Sequence, residues 1–392
     1  AQPCQGWGRE FEPRFPLSTM RSKSIVLISN NYWTLFKFRY EIIQHLTEKG
    51  FNIHLVAEND GYEKKFIKNN AIICHNINFS GRSINPFNEI KTFLLIKKIL
   101  KEIRPIFLFS YTIKPNIYSG YLCGKLRINH IPMVTGLGYF FNNLTWPLKV
   151  IVHYIIKKSF ERSNEIWFTN LSDKKYYIDN NIITNTKKTS IVMGAGIDLN
   201  VIPFTTINKD NKKKFIMIAR LLYEKGTHEF IQAAKYFSKW NMYKFILVGD
   251  HQMNKYYVKK SIIDSLVQDN ILEYSEFTDD IDRYYSEASC IVLPSYREGL
   301  STILLEAAAR KIPIITTDVP GCRDIIKDGS YGFLCKPKSS QSLIDAIKRF
   351  LDTSDSDLCI KSDKTYQYIK DNCSKDNIIN KYDKIIDVYK LL

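Results

Sequence analysis

The 392-residue chain has no run of eighteen apolar residues, so no segment is long enough to span a bilayer as a helix. Its best apolar stretch, VIVHYII at 150–156, is far too short. The eight cysteines (4, 74, 123, 290, 322, 335, 359, 373) form no Cys-x-x-Cys or Cys-x-x-His pair, which argues against a zinc site. Cys123, Cys290 and Cys322 lie among apolar or small neighbours, where a free thiol acts as a small hydrophobe, so a reducing compartment is expected and a disulfide framework is not. Residues 1–19 lack the apolar stretch of a signal peptide and do not belong to the pattern that follows. They read as a vector-derived or processed segment. Also missing are the dinucleotide fingerprint G-x-G-x-x-G, a Walker A loop, H-E-x-x-H and G-x-S-x-G. Dehydrogenase, P-loop NTPase, zincin and serine hydrolase chemistries are thereby disfavoured.

What is present describes an ordinary globular protein, 45% hydrophobic and 24% charged. Its length favours two domains. The net charge of +16 is unevenly placed: residues 1–200 hold 27 Lys and Arg against 14 Asp and Glu, residues 201–392 hold 29 against 26. A basic first half suits a polyanionic partner such as nucleic acid, an anionic lipid surface or a phosphorylated substrate. Solubility and compositional drift in an Ile/Asn/Lys-rich chain account for the charge equally well.

Short β-branched runs at 24–29, 52–58, 106–111, 131–136, 165–170 and 188–193 alternate with helical spacing at 36–50, 89–105 and about 115–127. A polar, Asn/Lys-rich stretch at 197–213 then reads as a linker. The alternation restarts with strands at 214–220, 243–250, 290–295 and 313–318 and helices at 226–239, 254–267 and 302–310. Parallel βαβ units are expected in two tandem Rossmann-like α/β domains, 20–196 and 214–374, followed by a C-terminal helix at 375–392 that crosses back to the first domain. Ligands of open α/β sheets bind beyond the carboxyl ends of the strands, so two facing sheets place the site in the cleft between them.

Four features of the second half fall at such strand ends. Arg220 ends a strand and Lys225 precedes Gly226 and a helix, which suits a diphosphate, although an Arg/Lys pair taken alone is more often simply solvated. Gly249, in LVGD, permits close backbone approach. Phe277 and Thr278 lie in a turn that could present backbone groups to a base edge. In YREGLSTILLEAAARKIP (296–313), Gly299, Leu300 and Ser301 open a helix whose free N–H groups favour an anion, with Glu298 before the turn and Glu306 one turn inside the helix.

Together these residues resemble the retaining glycosyltransferases of family 4, of the two-domain GT-B type. The spacing Glu298-x7-Glu306 matches the family's E-x7-E, as do Arg220 and Lys225. The resemblance implies that Glu298 faces the donor sugar, that Glu306 holds the ribose, and that Arg220 and Lys225 bind the diphosphate. FKFR (36–39), FSGRSINPF (79–87), SYTIKPNIYSG (110–120), VTGLGYFF (134–141) and LPSYREG (293–299) resemble a bacterial subgroup acting on polyprenyl-diphosphate-linked glycans, several of them α-1,3-N-acetylgalactosaminyltransferases. Asn31, Lys37, Arg39, Arg82 and Lys114 become candidates for contacts with an acceptor diphosphate or lipid headgroups. Gly136 and Gly138 either let the backbone approach the sugar or form a plain turn.

The chain departs from the wider family in three places. Asn30-Asn31 stands where many members have Gly-Gly, no histidine follows strand 131–136 (His130 precedes it), and Ser301-Thr302 replaces a Phe/Leu-Pro step, offering an extra hydroxyl to the phosphates. The implied reaction is metal-independent, needs no cofactor, retains configuration and uses a UDP-sugar as donor at the cytoplasmic face of the membrane, held peripherally. Two alternatives stand beside it: a UDP-sugar-hydrolysing 2-epimerase of the same fold, and a basic nucleic-acid-binding protein, the latter disfavoured because the aromatics fall in core patterns.

Overall fold

The computed structural model describes residues 23–79, 86–136, 146–200, 202, 212–252, 256–278 and 280–390. Arg82, Gly138, the first nineteen residues and most of the expected linker lie outside them.

The first half runs β1 (Ser24–Asn31), α1 (Tyr32–Glu48), β2 (Asn52–Glu58), β3 (Ile72–Asn76), α2 (Pro86–Ile103), β4 (Phe107–Tyr111), α3 (Ile113–Leu126), β5 (Asn129–Val134), α4 (Trp146–Phe160), β6 (Ile166–Phe168), α5 (Leu171–Asp179) and β7 (Thr189–Ile191). The second runs β8 (Lys213–Ile218), α6 (Thr227–Phe237), β9 (Tyr243–Val248), α7 (Lys260–Gln268), β10 (Glu273–Ser275), α8 (Asp282–Glu287), β11 (Cys290–Leu293), α9 (Thr302–Ala309), β12 (Ile314–Thr317), β13 (Phe333–Cys335), α10 (Ser340–Leu351) and α11 (Asp355–Cys373). α12 (Lys375–Lys390) closes the described chain.

The strands form two all-parallel sheets, ordered β3-β2-β1-β4-β5-β6-β7 and β10-β9-β8-β11-β12-β13. Both are covered on two faces by helices, which is why β1, β4, β8 and β11 read as continuous apolar runs rather than alternating ones. In each sheet the strand order reverses once, between β1 and β4 and between β8 and β11. Those two switch points are where the loops diverge and leave a crevice.

Several boundaries differ from expectation for local reasons. α1 begins at Tyr32, not 36, because Asn31 caps it by accepting the Thr34 N–H at 3.1 Å. α7 begins at Lys260, not 254, because Tyr257 is drawn into a bridge with Leu222. The apolar stretch at 150–156 lies inside α4, a helix the periodicity did not single out. β3, with only one of its five residues buried, has too weak a pattern to stand out.

The chain passes between the domains at two adjacent points. Ile197 N–H donates to the Cys373 carbonyl (2.8 Å) and Lys375 N–H to the Ile197 carbonyl (2.9 Å). α12 then packs on the first domain, where Ile378, Tyr382, Ile385 and Ile386 join the core built on β1, β4 and β5. Tyr382 sits 4.8 Å, ring to ring, from both Phe109 and Trp167, and its hydroxyl pairs with that of Tyr111 at 2.8 Å. Tyr382→Ala is expected to destabilise the first domain by about 3–5 kcal/mol, as for other buried aromatics. Tyr382→Phe should cost about 1–3 kcal/mol, because it removes the hydroxyl partner of the buried Tyr111. Urea unfolding of the two variants measures both.

Candidate active site

At the switch point of the second sheet, β8 and β11 run side by side and their following loops carry opposite charges. Beyond β8, Gly226 turns the chain in the left-handed region (φ 77°) against the Pro294 carbonyl, where any Cβ would overlap backbone. This turn holds Lys225, whose Nζ lies 2.6 Å from Glu298 Oε1 in the loop after β11. Both side chains are largely buried, so the pair is a strong, charge-assisted contact. Arg220 projects from the end of β8, exposed and without a protein partner among the described residues.

Glu306, on α9, accepts the Tyr285 hydroxyl at 2.8 Å. Burial, reinforced by the Glu306 charge, pushes the Tyr285 phenol well above its usual range, which keeps it a neutral donor to the carboxylate. The Arg310 guanidinium stacks 4.3 Å over the Tyr285 ring and pairs with Asp282. Across the cleft, Lys37 Nζ on α1 stands 3.9 Å from Glu306 Oε1. Lys225 and Glu298 thus pair at the switch point and Lys37 meets Glu306 across the domain boundary, with Arg220 exposed beyond the end of β8.

The domains touch through backbone at this crevice. A Cβ on Gly299 would overlap the Thr135 carbonyl, and one on Gly136 (φ 130°) would lie 3.3 Å from Gly299 Cα. Leu300 packs on Gly194, its Cδ2 3.0 Å from where a Cβ would stand. Gly249 is required by the neighbouring strand, since a Cβ there would overlap the Ala219 carbonyl. Phe277 is exposed beyond β10, and Thr278 Oγ1 accepts the Asp280 N–H at 3.1 Å, closing that turn.

Other expected positions are spent on structure. The Ser301 hydroxyl caps α9 on the Leu304 N–H at 3.4 Å and the residue is buried, so it is no extra ligand for phosphates. Arg39 is 4% exposed, its guanidinium 4.5 Å over the Tyr111 ring and hydrogen-bonded to the Phe38 carbonyl (2.8 Å) and Met133 Sδ (3.0 Å). It is an interior cation beneath α12, not a headgroup contact. Lys114 is paired with Glu89 at 2.8 Å, its charge already compensated between α2 and α3. Asn31 caps α1, and Asn30 Oδ1 accepts the Thr112 hydroxyl at 2.8 Å, so the pair builds the β1 turn that glycines would otherwise build.

Composition and periodicity did not single out Tyr285, Asn170, Asp173 or Arg297. Asn170 Nδ2 donates to the Gly299 carbonyl at 2.7 Å, and Asp173 pairs with Arg297 at 2.5 Å, both across the domain boundary. The available signal was Asn-x-x-Asp directly after a strand, a helix-start pattern that says nothing of a partner domain.

His130 is no catalytic histidine. Fully buried, it is bracketed by Ser110 Oγ (2.8 Å to Nε2) and Ser163 Oγ (3.0 Å to Nδ1), and burial lowers its pKa to about 3.

Comparison with known proteins agrees with this architecture. The "Glycosyl transferase 4-like" family matches residues 24–170 and "Glycosyl transferases group 1" matches 201–372, one per domain. The N,N'-diacetylbacillosaminyl-diphospho-undecaprenol alpha-1,3-N-acetylgalactosaminyltransferase of Campylobacter jejuni is 26% identical over 81% of this chain and 87% of its own length. The UDP-Gal:alpha-D-GlcNAc-diphosphoundecaprenol alpha-1,3-galactosyltransferase of Escherichia coli is 23% identical over 88% and 90%. The Anabaena Alr3699/HepE structure in complex with UDP and glucose superimposes with a TM-score of 0.75 at 14% identity, over 93% of this chain and 99% of that one. Fold and matched domains therefore define a GT-B enzyme. The chain is a glycosyltransferase of the group 1 family, with homologues that act on polyprenyl-diphosphate-linked glycans.

Two outcomes follow from the geometry. Gly299→Ala forces the domains apart at Thr135 and should cost about 1–3 kcal/mol, as other overpacking changes do, measured by urea unfolding. His130 binds a proton in the unfolded chain near pH 6.5 but in the folded one only near pH 3. Its contribution to stability is therefore full above pH 6.5 and is lost at about 1.4 kcal/mol per pH unit as pH falls through that window. His130→Asn should flatten the pH-stability profile between 6.5 and 4 by that slope.

Proposed function

We propose that this glycosyltransferase moves a hexose or N-acetylhexosamine, with N-acetylgalactosamine the first choice, from a UDP-sugar to a polyprenyl-diphosphate-linked saccharide, with retention of configuration. The observation that carries the reading is the buried Lys225–Glu298 pair at the β8/β11 switch point, with Glu306 on the helix that the same loop opens. The activities of the Campylobacter and Escherichia relatives support the acceptor class and the alpha-1,3 linkage type.

In this reading Arg220 and Lys225 neutralise the diphosphate as it departs, which is the electrostatic contribution that dominates in such sites. Glu298 orients the sugar, and Glu306, held by Tyr285, takes the ribose hydroxyls. Lys37 belongs on the donor side, opposite Glu306, rather than with the acceptor. The leaving phosphate oxygen takes the proton of the acceptor hydroxyl on the same face, and no side chain serves as a strong base. Lys225 is held on Glu298 until phosphate oxygens compete for it.

Attachment to an anionic membrane face fits two helices of the first domain. α2 exposes Phe87, Ile90 and Leu94 beside Lys91, and α4 exposes Trp146, Leu148, Ile151 and Tyr154 beside Lys149. Aromatic and aliphatic side chains interleaved with lysines suit the interface of such a bilayer. No helix among the described residues is long and apolar enough to cross one.

The test is a donor screen with UDP-GalNAc, UDP-GlcNAc, UDP-Gal and UDP-Glc against short polyprenyl-diphosphate saccharides, followed by chromatography. Extension of the acceptor is expected. Free sugar plus UDP without extension would indicate a hydrolysing epimerase instead. Arg220→Ala and Lys225→Ala should each lower turnover about 10²–10³-fold in a chain that still folds, and near-wild-type turnover in either would overturn the diphosphate assignment.

A further inference from the structure

We infer that Asp173 and Asn170 of the first domain position Glu298 of the second, so that the sugar-facing carboxylate is set only when the two domains are together. The inference rests on the reading of Glu298 given above.

The loop from Arg297 to Ser301 is held from both domains. Glu298 reaches back to its own domain through its side chain, on Lys225 at 2.6 Å. The residues on either side of it are gripped from the first domain. Arg297 pairs with Asp173 Oδ1 at 2.5 Å, and the Gly299 carbonyl accepts Asn170 Nδ2 at 2.7 Å. Glu298 N–H donates to the Pro320 carbonyl at 3.2 Å, and the Glu298 backbone lies against Gly321, where a Cβ would stand 2.5 Å from its carbonyl oxygen. The Glu298 backbone therefore cannot shift unless Arg297 and Gly299 move with it.

The gripping pair is itself rigid. Asp173 is 0% exposed, with Oδ1 on Arg297 and Oδ2 accepting Asn170 Nδ2 at 2.9 Å. Asn170, also fully buried, uses its Oδ1 to accept the Asp173 N–H at 2.7 Å, capping α5. One short motif, Asn-x-x-Asp, thus starts a helix and presents an amide and a carboxylate to the opposite domain. A buried carboxylate that lost Arg297 would be left with an uncompensated charge, so the motif favours the joined arrangement strongly. Lys225, Tyr285 and Glu306 all lie on the second domain and need no such help. The nucleotide is then held chiefly by the second domain, with Lys37 reaching Glu306 from the first, while sugar orientation depends on Asp173 and Asn170.

The consequence is a separation of binding from turnover. In the full-length chain, Asp173→Asn should lower kcat about tenfold or more, as small misplacements of a reacting group do. The Kd for UDP, measured by calorimetry, should change less than about threefold, the scatter expected for a residue that does not touch the nucleotide. Arg297→Lys should retain more turnover than Arg297→Ala. The double variant Asp173→Asn/Arg297→Gln removes both charges together and leaves none buried alone, which guards against simple misfolding. A folded double variant with unchanged kcat overturns the inference, and so does parallel loss of kcat and UDP affinity, the mark of a merely structural pair. Hydrogen exchange of residues 297–300 reads the clamp without any substrate. Faster exchange in Asp173→Asn supports it, and unchanged protection overturns it even where no donor is turned over. A wild-type chain that neither binds UDP nor uses any donor would instead refute the functional reading.

Discussion

Everything at the cleft depends on a contact that contains no side chains. Thr135-Gly136 and Gly299 meet as bare backbone, each where a Cβ would collide with or crowd the other segment. Only through that approach do α1 and α9 come near enough for Lys37 to stand within 4 Å of Glu306, and the loop after β11 near enough to engage Asn170 and Asp173. Polar groups placed across the boundary then find partners at hydrogen-bond distance without rearrangement. The charged groups of the site are arranged around this contact rather than responsible for it.

Charge in the site is balanced locally. Lys225 is matched to Glu298, Asp173 to Arg297, and Glu306 is shared between a neutral phenol and a distant ammonium. Arg220, exposed just beyond β8, has no protein partner for its side chain among the described residues.

Much of the fold was legible because parallel strands buried on two faces leave long apolar runs, and β1, β2, β4, β8 and β9 stood out on that ground alone. The α9 loop was legible for a related reason, since Glu298, Gly299 and Glu306 fall at a strand end and a helix start, which spacing reveals. Arg39 and Lys114 misled because a basic residue on a helix looks solvent-facing until the packing partner is known. Tyr111 and Glu89, far away in sequence, supply those partners. Asn170 and Asp173 escaped notice for the converse reason. A helix cap explains them completely within their own domain, and their second role exists only once the other domain is in place.

The two crossings between the domains, at Ile197 and at Ser374-Lys375, lie side by side and are hydrogen-bonded to each other. Parallel adjacent straps resist twisting and sliding but bend together, so relative motion of the halves is confined to swinging about one line, as covers swing about a spine. The groups across the cleft then lie on arcs around that line. Groups farther from that line travel farther for a given swing, and the same pair of loops returns to register each time the halves come together.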